Sequence, residues 1–290
     1  MFRNRILTKI RAMGRGRRGN NYWGYFSSLG SHKPVASARA RAKLGRSWPA
    51  AYPFEPADGE EKAMPVVVSF VGQKGGVGKS TLARAFAAVA TRGKLKVKLA
   101  DLDVNQQTAV RWARTRAARG SAYPVEAEAF NTIGDVLASV HGFDLIIVDT
   151  PGHASPATLD IARSSQVVIL PTGASTDDLY PTVLLLYELE QMGIPKERLA
   201  VALCRLLELR EEHAARKYVE TAGYEALLGS IPERAGYRSA HNLGQSITET
   251  NEQSLNRRAR TLMESLLEKV MNQLKASKTF QKQQGDGSIA

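Results

Sequence analysis

Three short stretches of this 290-residue chain carry residue types and spacings that could do chemistry. The first is Gln73-Lys74-Gly75-Gly76-Val77-Gly78-Lys79-Ser80-Thr81. Its glycines let backbone N–H groups turn inward and approach a polyphosphate closely. Lys79 supplies positive charge for the β- and γ-phosphates, and the Ser80 hydroxyl is a ligand for Mg²⁺. The second, Lys98-Leu99-Ala100-Asp101-Leu102-Asp103, ends in two carboxylates two residues apart, a spacing that puts both on one face of a strand. The third, Phe143-Asp144-Leu145-Ile146-Ile147-Val148-Asp149-Thr150-Pro151-Gly152, is an apolar run ending in an acid and a glycine. Asp149 is placed there to hold Mg²⁺ through water, and Gly152 to offer its N–H to a γ-phosphate.

Such residues converge only if the elements between them allow it. The glycine run follows Val66-Val67-Val68-Ser69-Phe70-Val71, of β type, and opens a helical run from Leu82 to Ala90. Strand, loop and helix in that order give a phosphate-binding loop its context, and the helix N-terminus adds partial positive charge. Further along, strand and helix patterns alternate. The patterning predicts strands near 66–71, 96–101, 126–130, 143–149, 166–171, 199–204 and 227–231. Helices are predicted near 79–91, 106–119, 132–140, 156–163, 178–192, 211–222 and 252–275. This is an α/β chain with a doubly wound, mostly parallel sheet and helices on both faces. Ligands of such sheets sit at the carboxyl ends of the strands, where all three stretches fall.

Lys74-Gly75-Gly76-Val77-Gly78-Lys79-Ser80-Thr81 resembles the deviant Walker A loop of the ParA/MinD family of P-loop ATPases, with Gln73 where the common loop has its first glycine. The resemblance covers roughly residues 64–275 and is nearest to small plasmid-type ParA proteins, partly through Ala109-Val110-Arg111-Trp112-Ala113 and its Arg-rich continuation. It implies that Lys74 reaches the phosphates of a partner subunit across a nucleotide-sandwich dimer. It further implies that Asp103 orients the attacking water and that Asp101 holds a metal-bound water. The expected catalytic set is Lys74, Lys79 and Asp103, and the metal set is Ser80, Asp101 and Asp149. Nucleotide contacts are expected from residues 74–81 (Val77 and Thr81 included), Gly152 and, more weakly, Pro232. Two departures stand out: Val104-Asn105-Gln106-Gln107 replaces Pro-Gln-Gly after the second stretch, and Cys204-Arg205 stands where many relatives carry Asn. Base recognition therefore does not carry over. Ser175 to Asp178 reads as a helix cap rather than a catalyst.

The net charge of +12 is confined to one end. Residues 1–54 hold 12 Lys/Arg and no acid, whereas residues 55–290 balance at 28 and 28. Residues 1–63 read as a basic arm without a packed core, built for nucleic acid or anionic lipid, as a transit-like leader, or as an extension upstream of a start at Met64. Residues 64–276 form the ATPase-like domain, and 277–290 a polar tail. The single cysteine, Cys204, excludes a disulfide framework and a CxxC metal site within the chain, and fits a reducing cytoplasm.

Together these readings predict an ATP- and Mg²⁺-dependent ATPase of slow intrinsic turnover, homodimeric with ATP, that binds DNA non-specifically and serves plasmid or chromosome partition or cargo positioning. A ParB-like activating partner and nucleoid association in the ATP state follow from the resemblance. Arg257, Arg258 and Arg260, ahead of the middle of the last helix, are the candidate DNA contacts. The alternatives are a VirC-like accessory ATPase of conjugative DNA transfer and a MinD-like membrane-surface ATPase. The polar tail, without a basic apolar helix, disfavours the latter. Asp149-Thr150-Pro151-Gly152-His153 also mimics a GTPase switch, but no Asn-Lys-x-Asp motif accompanies it.

Overall fold

The computed structural model describes residues 65–285, with side chains through 276. The basic arm and the possible start at Met64 lie outside the described residues. Seven strands form one sheet: β1 (Val66–Phe70), β2 (Val97–Asp101), β3 (Glu126–Ala129), β4 (Leu145–Asp149), β5 (Val167–Thr172), β6 (Leu199–Leu206) and β7 (Ala226–Pro232). Their order is β3-β2-β4-β1-β5-β6-β7, and every pairing is parallel. The helices are α1 (Lys79–Arg92), α2 (Thr108–Ala118), α3 (Ile133–Ala138), α4 (Ala157–Ser164), α5 (Thr176–Gln191), α6 (Leu209–Thr221), α7 (Ala235–Asn242) and α8 (Gln253–Gly285).

The central strands read as continuous apolar runs because both faces are covered. Val66, Val68 and Phe70 point into one core, with α1, α2, α7 and α8; Val67 and Val71 point into the other, with α3 to α6. In the first core Phe70 and Phe86 meet edge to face, with ring centroids 6.5 Å apart. A fully buried aromatic or aliphatic side chain of this kind contributes about 1.5–3 kcal/mol.

Both borders of the sheet are closed to further strands. β3 is four residues long and exposes Glu126 and Glu128, which both bridge to the buried Lys98 of β2. At β7 the Arg216 guanidinium of α6 donates to the carbonyls of Ala226 and Leu227, each at 2.9 Å. The Leu228 N–H donates to the Ser265 hydroxyl of α8 at 2.9 Å. α8 lies so close that a Cβ at Gly229 (φ +81°) would stand 2.9 Å from the Leu262 nitrogen.

Two elements differ from the sequence expectation. Residues 235–242 form α7 rather than a loop; it buries only Tyr237 and Ala240, too little periodicity to register as a helix. α8 runs on to Gly285 instead of ending near 275. Its last turns lack an apolar stripe but consist largely of Ala, Lys and Gln, which are good helix formers.

Candidate functional site

The strand register brings the three stretches to one edge. Phe70 of β1 lies beside Asp149 of β4, and Asp149 beside Asp101 of β2. The glycine loop leaves β1 and returns into α1 over these strand ends. Two of its glycines are in left-handed conformations, Gly76 at φ +74° and Gly78 at φ +114°. At Gly78 space is also tight: a Cβ would come within 3.2 Å of the Cys204 sulfur. Burial pushes the Cys204 thiol up to about 12, so beneath the loop it acts as a small apolar group.

Lys79 is buried in the first turn of α1. Its ammonium donates to the carbonyls of Lys74 at 2.8 Å and Gly152 at 3.1 Å. Burial lowers its pKa, and the nearby Asp149 and Asp103 charges oppose that shift. The Lys79 contact ties the loop after β4 to the glycine loop, where Gly152 faces Gly75. Asp149 is buried at 2% exposure, and its Oδ1 has no hydrogen-bond partner. Desolvation raises this carboxyl to about 7, against the Ser80 hydroxyl, which bonds to it, and the Arg84 and Lys79 charges. A buried oxygen that lacks a partner beside a serine hydroxyl is the donor set Mg²⁺ uses when phosphate oxygens and waters complete its shell.

Asp101 has a structural task that the sequence reading missed. Its Oδ2 accepts from Ala109 N at 2.9 Å and Val110 N at 3.4 Å, and its Oδ1 from Asp103 N at 3.1 Å. The N-cap of α2, Gln107, makes no side-chain cap bond, so the carboxylate at the end of β2 satisfies the helix amides instead. Burial raises its pKa while those three N–H groups oppose the shift. β2 ends at Asp101, and Asp103 lies in the loop beyond it, its Oδ1 accepting from Gln106 N at 3.1 Å. The unusual loop 104–107 thus closes as a turn on Asp103, with Gln107 left-handed at φ +46°.

Lys74 lies on the exposed side of the loop and pairs with Asp178 of α5 at 3.1 Å. The side-chain cap expected from Ser175 to Asp178 is not formed. Asp178, in the first turn, favours the helix N-terminus by charge and turns its carboxylate to Lys74.

Pro232 ends β7 and lines a cavity of about 370 Å³ that begins at Gly76, Gly78 and Thr81. Of the candidate DNA contacts on α8, Arg257 and Arg260 are exposed. Arg258 is half-buried and donates to Ser230 Oγ at 3.1 Å and to Glu212 at 3.5 Å. Among the described residues no helix is long and apolar enough to cross a membrane.

Residues 68–281 match the model of the CobQ/CobB/MinD/ParA nucleotide binding domain. The chain is 32% identical over 122 residues to a maintenance of carboxysome distribution protein A of Gloeobacter kilaueensis, covering 42% of this chain and 55% of that protein. It is 26% identical over 217 residues to the chromosome-partitioning ATPase Soj of Thermus thermophilus, covering 63% of this chain and 87% of Soj. With protein virC1 of Rhizobium radiobacter it shares 32% identity over 143 residues, 44% of this chain and 61% of that one. Two of these three matches span little more than half of the relative's length. Among solved structures, a putative plasmid partition protein from Borrelia burgdorferi bound to AMPPNP superposes with a TM-score of 0.57 at 16% identity, covering 71% of this chain and 99% of that one.

Proposed function

Since the chain belongs to the CobQ/CobB/MinD/ParA nucleotide-binding family, we propose that it is an ATP-hydrolysing switch that dimerises on ATP and positions a DNA or protein cargo. One observation carries this reading: Lys79, Ser80, Asp149, Gly152 and Asp103 meet at one edge of the sheet beside a loop that bears a second, exposed lysine.

In this reading the amides of residues 74–81 cradle the phosphates, Lys79 exchanges its two carbonyl partners for phosphate oxygens, and Lys74 leaves Asp178 to reach the partner subunit's nucleotide. Ser80 and, through water, Asp149 and Asp101 would hold Mg²⁺, which when bound would supply neutralising charge to the phosphates. Asp103 aligns the attacking water. Slow hydrolysis is part of this reading, since no arginine among the described residues is assigned to the transferring phosphate. The relatives named for partition and carboxysome distribution support positioning as the task. Arg257 and Arg260 supply sequence-independent DNA contacts in the dimer.

Lys79→Ala should abolish ATP binding in equilibrium dialysis. Asp103→Ala should keep ATP and accumulate as dimer in size-exclusion chromatography, with hydrolysis lost. Hydrolysis at the parent rate by Asp103→Ala would remove the catalytic assignment. The virC1 match favours a second reading, an accessory role in DNA transfer. DNA binding that needs ATP supports partition, and DNA binding indifferent to ATP supports the accessory role.

A further inference from the structure

The two helical layers on the sheet carry opposite charge. α1, α2, α7 and α8, which cover one face, hold 14 Lys/Arg and 2 acids. α3 to α6, which cover the other, hold 4 Lys/Arg and 9 acids. The imbalance is sharpest at α2, where residues 104–125 contain four arginines and no acid. Arg116 is turned inward to Glu249. Arg111, Arg114 and the C-cap Arg119 are exposed, and among the described residues none of their guanidinium groups has a carboxylate partner or a hydrogen bond.

Helix stability does not account for these charges. A cation at Arg119 suits the C-terminal end of the dipole, but Arg111 stands in the first turn, where the dipole opposes it. With no acid on the helix, no i,i+4 pair offsets the repulsion. A further cation lies close by: burial lowers the pKa of Arg84 on α1, and the Arg111 charge adds to that shift against Asp149 and Asp101. Such a face gains most from a polyanion.

The class of polyanion follows from what the face lacks. The helix residues that expose large apolar side chains are Tyr180, Leu184 and Tyr187 of α5 and Leu209 and Tyr218 of α6, all on the acidic layer. α2 exposes Arg111, Arg114, Ala117 and Ala118. It has nothing to insert beneath lipid headgroups and no aromatic or aliphatic anchor for a protein partner. Arg111 and Arg119 are about 12 Å apart along the helix axis, over which one strand of a duplex presents about three phosphates. α1 packs against both α2 and α8, so this face belongs to the same layer as the exposed Arg257 and Arg260. We propose that the outer face of α2 is a contact for the DNA backbone, made by Arg111, Arg114 and Arg119. The inference rests on the DNA-binding reading above and adds a surface to it. Asp101 holds the first turn of α2 through Ala109 and Val110, so this surface hangs from the strand edge that bears the phosphate-binding loop.

The test is fluorescence anisotropy of a labelled mixed-sequence duplex with the full chain and Mg·ATP across KCl concentrations. The triple variant Arg111→Gln/Arg114→Gln/Arg119→Gln is compared with Arg163→Gln/Arg210→Gln/Lys217→Gln, which removes the same charge from exposed positions on the acidic layer. The α2 variant should lower the salt slope by about 3, and the comparison variant by less than about 1. Mg·ADP binding in equilibrium dialysis should stay within about twofold of the parent for both. If the α2 triple loses nucleotide, Arg114→Gln alone decides, with an expected fall in slope of about 1. Equal falls for the two triples reduce the effect to net charge and overturn the inference, as does a slope unmoved by the α2 variant; DNA binding by the parent then stands on other residues. An α2 face that holds phosphatidylserine vesicles but no duplex overturns it in favour of a membrane. A parent that binds no duplex with Mg·ATP overturns the DNA-binding reading as well.

Discussion

The His241 imidazole is held neutral by burial, with the Arg84 charge adding to the effect, and its pKa falls to about 4. In the unfolded chain it titrates near 6.5, so between pH 6.5 and 4 the unfolded state binds more protons. Stability therefore drops as pH falls through that window, by up to about 3 kcal/mol at its lower end. His241→Gln should flatten this part of the stability profile, measured by urea denaturation from pH 7 to 4; an unchanged slope would assign the acid sensitivity elsewhere. Arg116 of α2 is a second buried group with a distant partner. Its guanidinium meets Glu249 in bidentate fashion at 2.7 and 2.8 Å and donates to the carbonyls of Gly244 and Tyr123. Glu249→Ala strands this cation at 3% exposure and should cost about 3–5 kcal/mol by denaturant midpoint. Sequence reading places Arg116 in an Arg-rich run and cannot show the pair, because the partners are 133 residues apart.

Among the elements, α2 depends on β2 through Asp101. Asp101→Ala should lower the stability of the nucleotide-free protein by about 1–2 kcal/mol, the worth of a lost helix cap. A purely metal-related role would leave that stability unchanged, so thermal melts without Mg²⁺ separate the two. The strands and most helices are legible in the sequence because both faces of β1, β4 and β5 are buried and their apolar runs are unbroken. The glycine loop is legible because its chemistry is local. What escaped is whatever depends on register: the cap from Asp101, the Lys74–Asp178 pair, and α7 with its two buried side chains. Each is made between stretches whose relative placement the sequence leaves open.

For the whole molecule, the charge-balanced body and the basic residues 1–54 divide the electrostatics. If Arg257 and Arg260 carry the DNA contacts, replacing both with alanine should weaken binding and reduce its salt slope by about 2, measured by fluorescence anisotropy across KCl concentrations. A slope unchanged by that pair but lost on removal of residues 1–54 would move the contacts to the arm. The closed borders of the sheet constrain how copies can join. At β7 the backbone groups are engaged by Arg216 and Ser265, and β3 is short and acidic. Growth of a polymer as a ribbon of added strands is therefore disfavoured. A filament of this protein should pack through the loop-bearing rim or the helical flanks and leave thioflavin dark.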